Sequence, residues 1–328
     1  MIIGGMNRTD LPAPDLALGT PVAVRLADWG AIRAKGDDAA AFLNGQLTQD
    51  TVKMDIGQAR LAGYCSPKGR LLASFVMWRT AADEILLACS ADLLAPTLKR
   101  LSMFVLRAKC KLSDASGEIA LWGVALPGLL HDSAEHPVPA EPYATSPVAG
   151  GTAIRLADAA GATRVLWAAP ADATPPWATT SSPDVWNWLE VQSAVPRIVA
   201  STVEAFVPQM VNLELVGGVN FQKGCYPGQE IVARSQYRGT LKRRMVLAEG
   251  ASAAAAGAEV FAAADPEQPA GQVVLSASLL HPEGGARHAA LIEVKRALAD
   301  AGELHIGAVD GPVLRLRELP YEIPSDAA

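Results

Sequence analysis

The chain has 328 residues, more than the roughly 150 of an average domain, and it is 50% apolar and 19% charged, so about two globular domains with a sizeable core are expected. No apolar stretch nears the ~18 residues of a membrane helix, and the opening MIIGGMNRTD lacks a basic segment followed by an apolar one, which disfavours membrane insertion and secretion. A net charge of −6 argues against a generalised nucleic-acid surface, and four scattered cysteines without a CxxC pair or a His at ligand spacing argue against a disulfide scaffold or a resident metal, fitting a reducing cytoplasm.

Residues 1–20, with Pro12 and Pro14, read as an extended lead-in, and the alternating run from Val22 to Leu26 opens the first domain. Asp37 is placed to cap a short helix through Ala39 to Leu43, with Gly45 at a left-handed C-cap. Ala59 to Cys65 and Arg70 to Trp78 are strand-like around the turn Ser66-Pro67-Lys68-Gly69, and Glu84 to Cys89 adds a third strand, predicting an antiparallel sheet. Ser90 then starts a helix carrying Leu93, Leu94, Leu98 and Leu101. The period of two from Phe104 to Leu112 predicts a strand with Arg107, Lys109 and Lys111 on one face, open either to solvent or to an anion.

Between Leu126 and Pro183 the chain is rich in Pro, Ala, Ser and Thr, with strand candidates at Thr152 to Leu156 and Arg164 to Ala168. Ser182-Pro183-Asp184 starts a helix that runs to about Ala194 and stops before Pro196. On it Val185, Trp188, Leu189 and Gln192 share a stripe, so an amide sits on an apolar face, available to a ligand or to the backbone. After Arg244 come short β runs at Met245 to Leu247, Glu259 to Phe261, Gln272 to Leu275, Ala289 to Val294 and Val313 to Leu316, the texture of a small barrel. The organisation expected is an α+β core over residues 21–240 and a β-barrel over 241–328.

One segment differs in chemistry from the rest. In Asn220-Phe221-Gln222-Lys223-Gly224-Cys225-Tyr226-Pro227-Gly228-Gln229-Glu230, glycines and a proline bracket a cysteine beside a lysine, a tight loop where a nearby ammonium favours thiolate. The block from Phe206 to Arg244 closely resembles the signature region of the YgfZ family, folate-binding proteins related to the aminomethyltransferase (T-protein) of the glycine cleavage system. KGCYPGQE matches the family motif K-G-C-[aromatic]-x-G-Q-E without a gap, and Asp37 to Asp50 and Pro67-Lys68-Gly69-Arg70 resemble its opening helix and first hairpin.

The resemblance implies a T-protein-like α+β fold, interleaved ferredoxin-like antiparallel units around a central folate site, with a C-terminal β-barrel. It implies a tetrahydrofolate-dependent factor that supports assembly or repair of iron–sulfur clusters in client enzymes, including radical enzymes that modify tRNA. Cys225 matches the family's functional cysteine, acting in thiol exchange, ligation or folate chemistry. Gln192 is expected near the pterin and Lys223 or Arg234 near the polar tail, with Tyr226 and Gln229 as further cofactor-binding candidates. Arg234, Arg238, Lys242, Arg243 and Arg244 form a basic cluster suited to solvent, to a folate tail or to RNA phosphates; direct tRNA binding is disfavoured because no RNA-binding module is recognisable.

The competing reading is a true aminomethyltransferase, which needs a carboxylate near the folate nitrogen. T-proteins carry it in the first hairpin, where this chain has Ala73 and Ser74, and none occurs between Gly69 and Trp78. Gln192 likewise stands where T-proteins place a glutamate that grips the pterin.

Overall fold

The computed structural model describes residues 18–128, 138–176, 179–237, 241–280 and 284–324. The chain enters one sheet, leaves to build a second, and returns. It enters as β1 (Val22–Arg25); the second sheet comprises β2 (Trp29–Lys35), β3 (Ala59–Cys65), β4 (Leu71–Ala81), β5 (Glu84–Ser90) and β6 (Lys111–Asp114). The return supplies β7 (Ile119–Pro127), β8 (Thr145–Val148), β9 (Gly151–Arg155), β10 (Ala162–Pro170) and β11 (Thr179–Thr180). Strand orders are β11-β1-β7-β10-β9-β8 and β3-β4-β5-β2-β6.

Period-two patterning lets each strand serve two cores. On β4, Ala73, Phe75 and Met77 pack beneath α1 (Ala39–Asn44) and α2 (Ala91–Ser102), while Val76 and Trp78 face the six-stranded sheet through Leu121, Ile154 and Leu166. The remaining helices are α3 (Pro183–Gln192), α4 (Gln229–Tyr237) and α5 (Arg296–Ala301). Six strands close the barrel in the order β12-β15-β14-β13-β16-β17. They are β12 (Arg243–Gly250), β13 (Glu259–Ala262), β14 (Gly271–Leu280), β15 (Ala286–Lys295), β16 (Leu304–Ile306) and β17 (Val313–Arg317).

Three local expectations need correction. Phe104 to Leu112 is not a strand: residues 103–110 turn, Leu106 has φ +43°, and only Lys111–Asp114 pair with β2. The Lys109 carbonyl packs against Gly36, where a Cβ would lie 2.1 Å away, and accepts from Asp38 N, so the segment anchors the start of α1 instead of extending the sheet. The N-cap of α1 is Asp38, and Gly45 is right-handed at φ −78°, because the Lys223 ammonium takes carbonyls at this helix end. On α3 the expected stripe gives way to burial on every side from Trp188 to Gln192, since the helix lies between the six-stranded sheet and β14 and β15 of the barrel.

Candidate functional site

Where the two sheets meet lies a narrow cavity of about 40 Å³ whose mouth opens to solvent. Trp29 from β2, Leu61 from β3, Ser74 to Val76 from β4, Tyr143, Leu156 and Arg164 from β10 line its walls, and Glu190 with the turn from Ser193 to Arg197 forms its floor.

Its charged groups are Arg164, Arg197 and Glu190, and each arginine stacks on a tryptophan. Arg197 donates from Nε and Nη2 to the two oxygens of Glu190 at 2.7 and 3.0 Å and from Nη2 to Asp28 Oδ2 at 2.7 Å, and its guanidinium lies 5.0 Å from the Trp29 ring. Arg164 lies 4.6 Å over the Trp186 ring, which rests flat on Gly123 of β7, where a Cβ would come within 2.3 Å. Burial pushes the Arg164 guanidinium down, against the pull of Glu190, Tyr143 and Asp158, and pushes the Tyr143 phenol up. Arg164 Nε and Trp29 Nε1 are buried donors with no protein acceptor among the described residues. Ser74 Oγ accepts from Ile198 N at 2.9 Å, fixing the floor turn to β4.

The KGCYPGQE loop lies elsewhere on the molecule. Lys223 is buried: its ammonium donates to the carbonyls of Asn44 and Leu47, the latter at 2.7 Å, and sits 4.7 Å from the Tyr226 ring. It is therefore a plug for the carbonyl end of α1, where a cation complements the helix dipole. Burial lowers its pKa to about 8, with Asp50 and Cys225 pulling the other way. Gly228, at φ +80°, packs on the Ser66–Gly69 turn so closely that a Cβ would lie 2.4 Å from the Ser66 carbonyl. The two motifs singled out in the sequence are thus halves of one contact. Cys225 is exposed at its rim, whereas Cys65 and Cys89 are buried with thiols pushed up to about 12 and Cys110 is half-buried and raised.

None of Gln192, Lys223, Cys225, Tyr226, Gln229 and Arg234 lines the cavity. Gln192 is buried and its Nε2 has no partner among the described residues, Tyr226 is buried with its phenol pushed up by desolvation, and Gln229 is half-buried at the start of α4. Arg234 is exposed and pairs with Glu230 at 3.7 Å. The basic cluster is dispersed: Arg243 bonds Glu293, Arg244 bonds Glu214, and Arg238 lies outside the described residues. Ala73 faces the α1 side and Ser74 the cavity. A chain of contacts joins loop to cavity: Leu47 receives Lys223, Thr48 Oγ1 accepts from Gly63 N at 2.7 Å, and a Cβ at Gly63 would touch Leu213 on the cavity wall.

Sequence reasoning passed over Glu190, Arg164, Arg197 and Trp29. The available signal was an arginine inside the otherwise apolar run Ala162 to Ala169, and an acid within the helix on the side opposite its apolar stripe.

A relative described as tRNA-modifying protein YgfZ from Photobacterium profundum is 32% identical over 252 residues, 72% of this chain and 71% of that protein. The chain belongs to the YgfZ family. A YgfZ from Edwardsiella ictaluri is likewise 32% identical, over 266 residues covering 75% of this chain and 77% of the relative. No family model matches the chain. Among solved structures, the glycine cleavage system aminomethyltransferase T from Bartonella henselae superposes with a TM-score of 0.69 at 16% identity, covering 93% of this chain and 87% of that one. The YgfZ chain therefore has the T-protein-like α+β fold with its C-terminal barrel.

Proposed function

We propose that the protein binds a reduced folate in the cavity between the sheets and acts as an accessory factor for assembly or repair of iron–sulfur clusters in client enzymes, including enzymes that modify tRNA. The observation that carries the folate reading is the donor set. A pterin presents an N3–H and 2-amino edge beside a 4-oxo group, and the cavity wall offers the Glu190 carboxylate as acceptor with Arg164 Nε and Trp29 Nε1 as unpaired donors. A reduced folate supplies N5 and N10, the nitrogens that carry a one-carbon unit. The protein's residues orient the ring and exclude water around it.

Aminomethyl transfer is disfavoured on the same wall. Ser74 faces the cavity where T-proteins are expected to carry an acid, and Glu190 is already held twice by Arg197. Direct RNA binding is disfavoured because Arg243 and Arg244 are spent in internal ion pairs and Arg234 pairs with its own helix. The unbridged cysteines fit the cytoplasmic location proposed with it. Cys225 is the exposed thiol through which a client is served.

Calorimetric titration with 5-formyltetrahydrofolate tests the site: Arg164→Ala should weaken binding by about 10- to 100-fold, the cost of a lost charged hydrogen bond to a buried group. Affinity unchanged within threefold would remove the folate from this cavity. Cys225→Ser should keep that affinity yet fail to restore client-enzyme activity in a deletion strain; full restoration would reduce the cysteine to a surface residue.

A further inference from the structure

After β17 the chain runs back from the barrel onto the core, where Leu319 and Tyr321 pack against the cluster containing Trp188, Val191 and Ala194. The Tyr321 hydroxyl donates to the Ala194 carbonyl at 2.8 Å and accepts from Asn212 Nδ2 at 3.3 Å. Burial pushes its phenol up to about 12, so the group remains a donor throughout ordinary conditions. Ala194 has φ +52° and Asn212 φ +58°. Asparagine tolerates that left-handed region, but alanine pays for its Cβ there and keeps the conformation only when its surroundings over-determine it.

The position of this strained residue gives it a consequence for the site. Ser193, Val195, Pro196 and Arg197, on either side of Ala194, all line the cavity. Arg197 in turn bridges Glu190 and Asp28, so a rotation at Ala194 would swing the guanidinium that holds the cavity's one carboxylate. The Ala194 amide bonds Val191 O, as right-handed residues also do, and Val195 N makes a long local bond of 3.4 Å to Ser193 Oγ; the Tyr321 hydroxyl is the partner from a distant segment that holds the Ala194 carbonyl.

We propose that Tyr321, on the segment following the barrel, is a positioning residue for the ligand cavity: it clamps the left-handed turn at Ala194 and thereby sets the placement of Arg197 and Glu190. The inference rests on the reading of the cavity as the folate site, deepening it by making the tail after the barrel part of that site.

Tyr321→Phe keeps the ring and its packing and removes only the hydroxyl. Without ligand, amide exchange of residues 193–198 should quicken about tenfold while the barrel strands are unaffected, and affinity for 5-formyltetrahydrofolate should fall about tenfold, as expected for one net hydrogen bond. Adding Ala194→Gly to this variant should restore the affinity, because glycine adopts positive φ without the clamp. Unchanged exchange at 193–198 overturns the proposal, as does a loss of affinity that glycine does not rescue and that accompanies faster exchange throughout the chain, the behaviour of a residue serving stability alone. If the unaltered protein binds no reduced folate but Tyr321→Phe still loosens 193–198 selectively, the clamp stands and the folate reading of the cavity fails.

Discussion

Lys223 and Cys225 are two residues apart yet placed for opposite purposes, one buried under the carbonyl end of α1 and the other exposed at the loop rim. Iodoacetamide should therefore modify Cys225 well before Cys65, Cys89 or Cys110, because burial raises the other three thiols and shields two of them completely. Peptide mass spectrometry after brief labelling reads the order directly, and early modification of Cys65 or Cys89 would contradict the buried assignments. Lys223 makes a prediction in pH. Its ammonium titrates near 8 in the folded protein against an ordinary 10.5, so between those values the unfolded chain binds more protons and Lys223 contributes more stability as pH rises. The urea midpoint of the unaltered protein should therefore gain on that of Lys223→Met between about pH 7.5 and pH 10. A difference flat across that window would mean that the two carbonyls fully compensate the buried charge.

At the level of elements, the glycines of KGCYPGQE separate by physical role. Gly228 has φ +80° and a Cβ on it would meet backbone of the Ser66–Gly69 turn within 2.7 Å, whereas a Cβ on Gly224 would find only the Asn44 amide at 3.8 Å. Gly228→Ala should cost about 3 kcal/mol, combining left-handed strain with displacement of the hairpin, while Gly224→Ala should cost under about 0.5 kcal/mol. Equal costs in urea unfolding would show that the loop does not dock as described. The same distinction governs what could be read beforehand. The hairpin β3–β4, the start of α3 and most barrel strands were legible because each is signalled locally, by alternation, by Ser182-Pro183, or by β runs between Ala/Gly/Pro segments. The cavity was not, because its charged residues look like surface ones until distant partners are brought to them. Arg164 is buried by Trp186, and Glu190 by Arg197 beyond the end of its helix. Phe104 to Leu112 failed for the converse reason: its alternation was real, but contact with Gly36 and the left-handed Leu106 turned it into an anchor.

Across the whole molecule the barrel and the α+β core share one apolar cluster, in which Met245, Leu247 and Leu291 of the barrel meet Trp188, Phe206 and Leu213. Arg287 of β15 stacks 4.6 Å from the Trp188 ring, and Arg244 of β12 reaches Gln209 O at 2.9 Å and the Glu214 carboxylate, both partners of the ion pair being almost fully buried. Burial raises the Glu214 carboxyl above its ordinary value, and the Arg244 guanidinium beside it pulls the other way. Removing one member of such a pair strands the other charge, which costs about 3–5 kcal/mol. Glu214→Ala should therefore lower stability by about that amount. All seven tryptophans lie between residues 29 and 188, so fluorescence follows the α+β core while far-ultraviolet dichroism also sees the barrel. Because the cluster ties the two parts together, both signals should move to the lower urea midpoint together in the variant, as in the parent. A variant in which dichroism falls in two steps while tryptophan fluorescence keeps the parent midpoint would show that the barrel melts alone, and that the shared cluster is too weak to couple the tail at Tyr321 to the cavity floor.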